Sequence, residues 1–146
     1  MNVFLAGIMQ GSKVEAAIHA QDWREPIRRA FAGHVPPSEV YCHFEANPRS
    51  IDYELPDIRV TFEEGLRRAR QCDVLVAYLP SASMGTAIEM VEAYHAGAVV
   101  LTITPMALNW VVRLYSHRIF ATVAELEAFL ASGQLDALLQ QSRSGE

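Results

Sequence analysis

Cysteine is scarce: Cys42 and Cys72 are the only two in 146 residues. That is too few for a disulfide framework or a four-ligand zinc site, and both are expected as reduced thiols. Cations are also in short supply, with 12 Lys plus Arg against 17 Asp plus Glu and a formal charge of -5. The electrostatic footprint of a phosphate-backbone binder is missing, so no nucleic acid polymer is expected as a partner. Long apolar runs are absent as well. The apolar start, residues 1–10, has no basic region before it and turns polar well short of the roughly 18 residues a membrane span needs. Neither a membrane association nor an export signal is expected, and the reading is cytoplasmic. His19, His34, His95 and His117 show no ligand spacing with Cys or acids. No metal or other cofactor is expected.

What the sequence does contain is 51% hydrophobic and 20% charged residues, with 8 Gly and 7 Pro. These values describe a single compact domain over residues 1–146, with a polar tail expected to fray from about Gln140. Short apolar runs rich in Val, Leu and Ile alternate with amphipathic ones. Strands are expected at 3–6, 40–43, 73–79, 99–104 and 118–121. Helices are expected at 23–31, where Trp23, Ile27, Ala30 and Phe31 share a face, at 61–72, 86–95 and from 122 through 130. Thr61 with Glu64, and Thr122 with Glu125, have capping-box spacing, and Gly97 is a fitting C-cap. Residues 105–115 receive no assignment. The alternation implies right-handed βαβ crossovers and an α/β fold, a flavodoxin-like three-layer α/β/α sandwich on a five-stranded parallel sheet. Ligands of such sheets bind beyond the strands' carboxyl ends, which directs attention to residues 7–13, 80–85 and 105–109. Residues 44–57, with Pro48 and Pro56, read either as a lid or specificity loop or as an irregular surface excursion.

The stretch DVLVAYLPSASMGTAIEM, residues 73–90, carries the most chemistry. Ser81, Ser83 and Gly85 allow close approach of a ligand to the backbone, and a helix starting beside them aims free amides into the loop. Glu89 leans back over that loop, because helical side chains tilt toward the N-terminus. With an ordinary carboxylate pKa of about 4.3, held down by the helix dipole, it would be ionised at neutral pH. It would then serve as a nucleophile or anchor sugar hydroxyls, or simply be a first-turn acid that favours the helix end.

FLAGIMQGS after the first strand, the strand at 73–79, SMGTAIEM at 83–90 and PMALNW at 105–110 together resemble the nucleoside 2-deoxyribosyltransferase superfamily, including its nucleoside 5′-monophosphate N-glycosidase branch. The resemblance implies cleavage of an N-glycosidic bond in a small-molecule nucleoside or nucleotide, by hydrolysis or by transfer to a second base. Glu89 would be the nucleophile, through a covalent glycosyl intermediate. It also implies that Gly7, Ile8, Gln10, Gly11 and Ser12 hold the sugar or 5′ group, helped by Ser81, Ser83, Met84 and Gly85. Asn109 would enter a neighbouring subunit's site, in a homodimer or larger homo-oligomer. The Asp that such enzymes use to handle the departing base falls at Gly65, so Glu64 is considered in its place, although helix geometry turns it about 100° away. Ser83 matches the phosphate-binding Ser of the monophosphate branch. The Arg that branch carries in the first loop is Gln10 here, with Lys13 nearby to supply charge.

His43 is a possible contact for base or phosphate, or an ordinary surface His. Asp22 and Arg24 either line the mouth of the site or cap the first helix, and capping is the expectation. Trp110 and Tyr78 read as core or interface residues or as pocket walls, and Glu92 as a solvated or interface residue. The segment from Gly7 to Lys13 lacks P-loop spacing, no Asp ends the third strand as in an aspartyl-phosphate receiver, and there is no dinucleotide fingerprint or serine elbow. Two alternatives remain: an NAD-cleaving glycohydrolase on a related fold, and a non-catalytic nucleotide-binding or sensor module.

Overall fold

The computed structural model describes residues 1–37 and 39–145. One five-stranded, wholly parallel sheet runs in the order β2-β1-β3-β4-β5, with β1 at Asn2–Gly7, β2 at Glu39–Cys42, β3 at Val74–Tyr78, β4 at Val99–Ile103 and β5 at Arg118–Phe120. The sheet is therefore the flavodoxin-like one expected.

Alternation along each strand sorts side chains between two layers. Val3, Leu5, Val74, Val76, Val99 and Leu101 pack with Ile27 and Phe31 of α1 (Arg24–His34), and with α6 (Val123–Ala131) and α7 (Gln134–Ser144). Phe4, Ala6, Leu75, Ala77 and Val100 face the other way, onto Ala69 of α3 (Leu55–Gln71), Met90 and Ala93 of α4 (Met84–His95) and Val112 of α5 (Trp110–Leu114). Central strands buried on both faces need uniformly apolar sequence, and β3 and β4 have it.

Several boundaries differ from the expected ones. α3 starts at Leu55, six residues before Thr61, because Pro56 suits a first turn and the apparent capping box at Thr61 lies inside the helix. The long connection at residues 44–57 is partly built, containing α2 (His43–Ala46) and a 3-10 turn at Ser50–Asp52. α4 starts at Met84, with Ser83 as its N-cap accepting from the Thr86 amide. The unassigned stretch holds α5, capped by Asn109. The tail forms α7 as far as Ser144, where fraying from Gln140 was expected.

β1 leads through α1 to β2 on one side and β3 lies on its other side, so the crossover direction reverses between β1 and β3. A crevice opens at such a switch point, beyond the ends of the two strands.

Candidate active site

A cavity of about 260 Å³ occupies that crevice. Gly7 forms part of its wall, with Gln10 and Gly11 from the following loop. Ser83, Met84, Gly85, Thr86 and Glu89 come from the start of α4, Thr61, Phe62 and Gly65 from α3, His43 from the start of α2, and Arg24 from α1. Two glycines are required by their surroundings. A Cβ on Gly7 would overlap the Trp23 indole, and Gly11 turns the loop at φ +60° while pressed against Ile8 and His19.

The α4 end of the cavity is arranged for a polar ligand. Ser83 Oγ accepts from the Thr86 amide at 3.4 Å and from Thr86 Oγ1 at 3.0 Å. Both protein donors spend their hydrogens on the Ser83 oxygen, which leaves its own hydroxyl hydrogen free to donate.

Glu89 lies six residues after the Ser83 cap and is partly exposed in the cavity wall. Its carboxyl is pushed up to about 8 by burial, against a smaller opposing pull from Arg24. This corrects the expectation of an ordinary, dipole-held carboxylate. The dipole acts mainly within the first turn, and Glu89 is past it, with no hydrogen-bond donor on its oxygens among the described residues. Opposite stands Gly65, where an added Cβ would lie 3.6 Å from Glu89 Oε1, so this position of α3 brings no acid to Glu89.

Glu64 points elsewhere. It accepts from Arg67 Nε at 2.8 Å and Arg68 Nε at 2.9 Å, and these guanidinium bonds pull its carboxyl down to about 2. A group so acidic is no proton donor at neutral pH. Glu92 pairs with Arg70 at 2.8 Å on the surface.

Of the other expected ligand contacts, Gly7, Gln10, Gly11, His43, Ser83, Met84 and Gly85 line the cavity, whereas Ile8, Ser12 and Ser81 do not. Ile8 is fully buried, because its side chain fills the space beneath the Gly11 turn. Lys13 is not a cavity residue; its ammonium donates to the Ile18 carbonyl at 3.2 Å. Asn109 lies outside the cavity, its Oδ1 accepting from Val111 and Val112 at 3.0 and 3.3 Å. His43 is lowered from the ordinary histidine value, first by burial and then by Arg24, so it is neutral at pH 7.

Neither Asp22 nor Arg24 caps α1, which begins without a side-chain cap. Arg24 instead turns inward and lines the cavity, 4% exposed, with its guanidinium 4.1 Å from the Trp23 ring centroid. Trp23 in turn stacks on Tyr78 at 4.8 Å, joining the start of α1 to the end of β3. The sequence favoured a capping role for Arg24 over its place at the site, and gave Thr61 and Phe62 only a place on a helix. The available signal was an arginine on the apolar face of α1, between Trp23 and Ile27.

A second cavity of about 270 Å³ shares Met9, Gln10, His43, Thr61 and Phe62 with the first, and is closed by Ile18, Ile51, Tyr53 and Ile58. The stretch between β2 and α3 thus walls the site. Among the described residues, no helix is long and apolar enough to cross a membrane and no cluster of three or more His, Cys, Asp or Glu is placed to hold a metal.

No family model and no curated protein matches the chain. Solved structures do. A 2-deoxyribosyltransferase from the psychrotolerant bacterium Bacillus psychrosaccharolyticus is 15% identical, with a TM-score of 0.63 over 89% of this chain and 96% of that one. A conserved protein from Enterococcus faecalis V583 is 18% identical, with a TM-score of 0.60 over 90% and 98%. The CMP N-glycosidase BcmB of Clostridium botulinum is 18% identical, with a TM-score of 0.51 over 89% and 98%. The chain has the fold of these three proteins.

Proposed function

We propose that the protein cleaves the N-glycosidic bond of a nucleoside or nucleoside 5′-monophosphate, with Glu89 as nucleophile. The observation that carries this reading is the placement of Glu89 in an open cavity between the β1 loop and the start of α4, at the sheet's switch point. The solved relatives on this fold include a deoxyribosyltransferase and a CMP N-glycosidase, which supports the same class of reaction.

A Glu89 carboxylate oxygen attacks the anomeric carbon as the bond to the base breaks, and the base departs with the electron pair. Water, or a second base, then attacks the same carbon and releases Glu89. The water route is hydrolysis and the other is transfer. Burial makes the carboxylate form costly, so it reacts readily once formed, and the base must collect its proton from solvent because Gly65 offers none. Ser83, Gly85 and the β1 loop hold the sugar and any 5′-phosphate, and the apolar second cavity receives the base. Asn109, exposed on the same edge as Leu108 (82%) and Trp110 (80%), completes the site of a neighbouring subunit.

A second reading, binding without turnover, draws on the same absence of an acid at Gly65. Chromatography of free base, after incubation with ribo- and deoxyribonucleosides, their monophosphates and NAD, separates the two. Release that Glu89→Gln abolishes supports the enzyme. Ligand-induced thermal stabilisation with no release from any compound supports the binding module, and nicotinamide release from NAD alone would redirect the substrate class.

A further inference from the structure

Arg24 is the most deeply placed charge of the site, and it has no carboxylate of its own. It is 4% exposed, and its Nε and Nη2 both donate to Gln21 Oε1, at 3.0 and 2.8 Å. Nη1 donates to the Leu5 carbonyl at 3.3 Å, and Nη2 lies 3.6 Å from Met9 Sδ. Gln21 is itself fixed, its amide donating to the carbonyls of Ile8 and His19 at 2.9 and 2.8 Å. A neutral amide thus occupies the place where a fork-shaped guanidinium ordinarily meets an acid. Among the described residues Arg24 forms no ion pair within 4 Å, and nearby Glu45 is engaged with Arg28. Burying a cation without a counter-charge is costly, so its retention calls for something negative within its field. The one carboxyl group lining the same cavity belongs to Glu89, whose oxygens accept no hydrogen bond among the described residues.

We infer that Arg24 is a positioning residue of this site, its unpaired, buried guanidinium supplying the positive potential that keeps the Glu89 carboxylate available as a nucleophile. The inference rests on the reading of Glu89 given above. The other groups around Glu89 do not replace this charge. Tyr41 on β2 is a neutral phenol, its ionisation pushed up by burial and by the acids Glu64 and Glu89. His43 is held neutral, and from α3 Thr61 and Gly65 bring no charge. Arg67 and Arg68 are committed to Glu64 and, for Arg68, also to Glu39. Cys42, a side-chain hydrogen-bond partner, and Glu45 act on Arg24 from the β2 side ahead of Glu89, and neither lines the cavity. Arg24 is lowered from the ordinary arginine value by burial, yet arginine starts so high that it stays charged.

The test reads titration directly, so it does not need a substrate. Carboxyl-labelled Glu and guanidinium-labelled Arg are followed by NMR against pH in the free protein, with signals assigned by their loss in Glu89→Gln and in Arg24→Met or Arg24→Gln. In the wild type the Arg24 signal should move with the Glu89 midpoint, and that movement should vanish in Glu89→Gln. In whichever Arg24 variant folds, the Glu89 midpoint should rise by about one pH unit or more, as loss of a near opposite charge implies. An Arg24 signal that is flat through the Glu89 titration overturns the inference even if neither variant folds, and so does a Glu89 midpoint unmoved in a folded variant. Absence of base release in the wild type would instead defeat the reading of Glu89 as a nucleophile, while the titration still decides whether the two charges are coupled. Where release is seen, kcat/KM of the folded variant should be lost near pH 7 and recover as pH rises, a recovery that a purely structural defect would not give.

Discussion

A Cβ placed on Gly65 would stand 3.6 Å from Glu89 Oε1, so α3 presents a bare backbone to the Glu89 carboxyl. At that distance a methyl group is in ordinary contact rather than collision. Gly65→Ala should therefore fold and should strengthen α3 by up to about 1 kcal/mol in denaturant melts, the usual difference between Gly and Ala inside a helix. Gly65→Asp puts a second acid beside Glu89. The pair should then titrate together, and base release should speed up most for poor leaving groups, the case in which a donated proton matters. Equal rates for good and poor leaving bases in the wild type would contradict the absence of an acid.

With Glu89 as the proposed nucleophile, activity is expected to favour alkaline pH. Its carboxyl, near 8 in the folded protein, is largely protonated at pH 7 and becomes nucleophilic as pH rises. The kcat/KM profile should climb through about pH 8 to a plateau. The stability consequence has the opposite sign. A folded value above the unfolded one means stability is full below the unfolded value, near 4.5, and falls as pH rises through about 8. Glu89→Gln removes that loss, so it should melt higher than wild type at pH 9 and close to it at pH 5.

Ser83 caps α4 and, in the proposed reaction, also donates to the ligand. Ser83→Ala should cost about 1 kcal/mol of stability through the lost cap and should raise KM for a monophosphate substrate more than for the free nucleoside. Ser83→Asp would keep the cap while repelling phosphate, so it should melt near wild type yet discriminate more strongly against monophosphates.

The fold was legible because its evidence is periodic. Strands β3 and β4 are apolar throughout, as strands buried on both faces must be, and Glu89 follows Gly85 on a helix whose start the Ser83 cap marks. What escaped depended on contacts between distant segments. Arg24 looked like a helix-end residue until Gln21 and the Leu5 carbonyl were brought to it, and the Glu89 shift arises from burial in a cavity walled by α1, α2 and α3. The start of α3 was misplaced because Thr61 and Glu64 have capping spacing inside a helix that Pro56 had already begun.

Asn109 carries the quaternary part of the proposal. Its side chain caps α5, so Asn109→Ala should destabilise that short helix by about 1 kcal/mol. If it also serves a neighbouring site, mixing Asn109→Ala with Glu89→Gln subunits should restore part of the activity that each lacks alone. An active monomer in sedimentation velocity would contradict this role.

The covalent step is the core of the account, and intact-protein mass spectrometry reaches it directly. The most reactive compound of the panel, made as its 2′-fluoro form to slow release of the sugar, is incubated with the protein and the mass is recorded. The expected result is a gain of one glycosyl unit, mapped to the peptide that carries Glu89 and absent from Glu89→Gln. Base release with no adduct in the wild type, or an adduct that persists in Glu89→Gln, would contradict it.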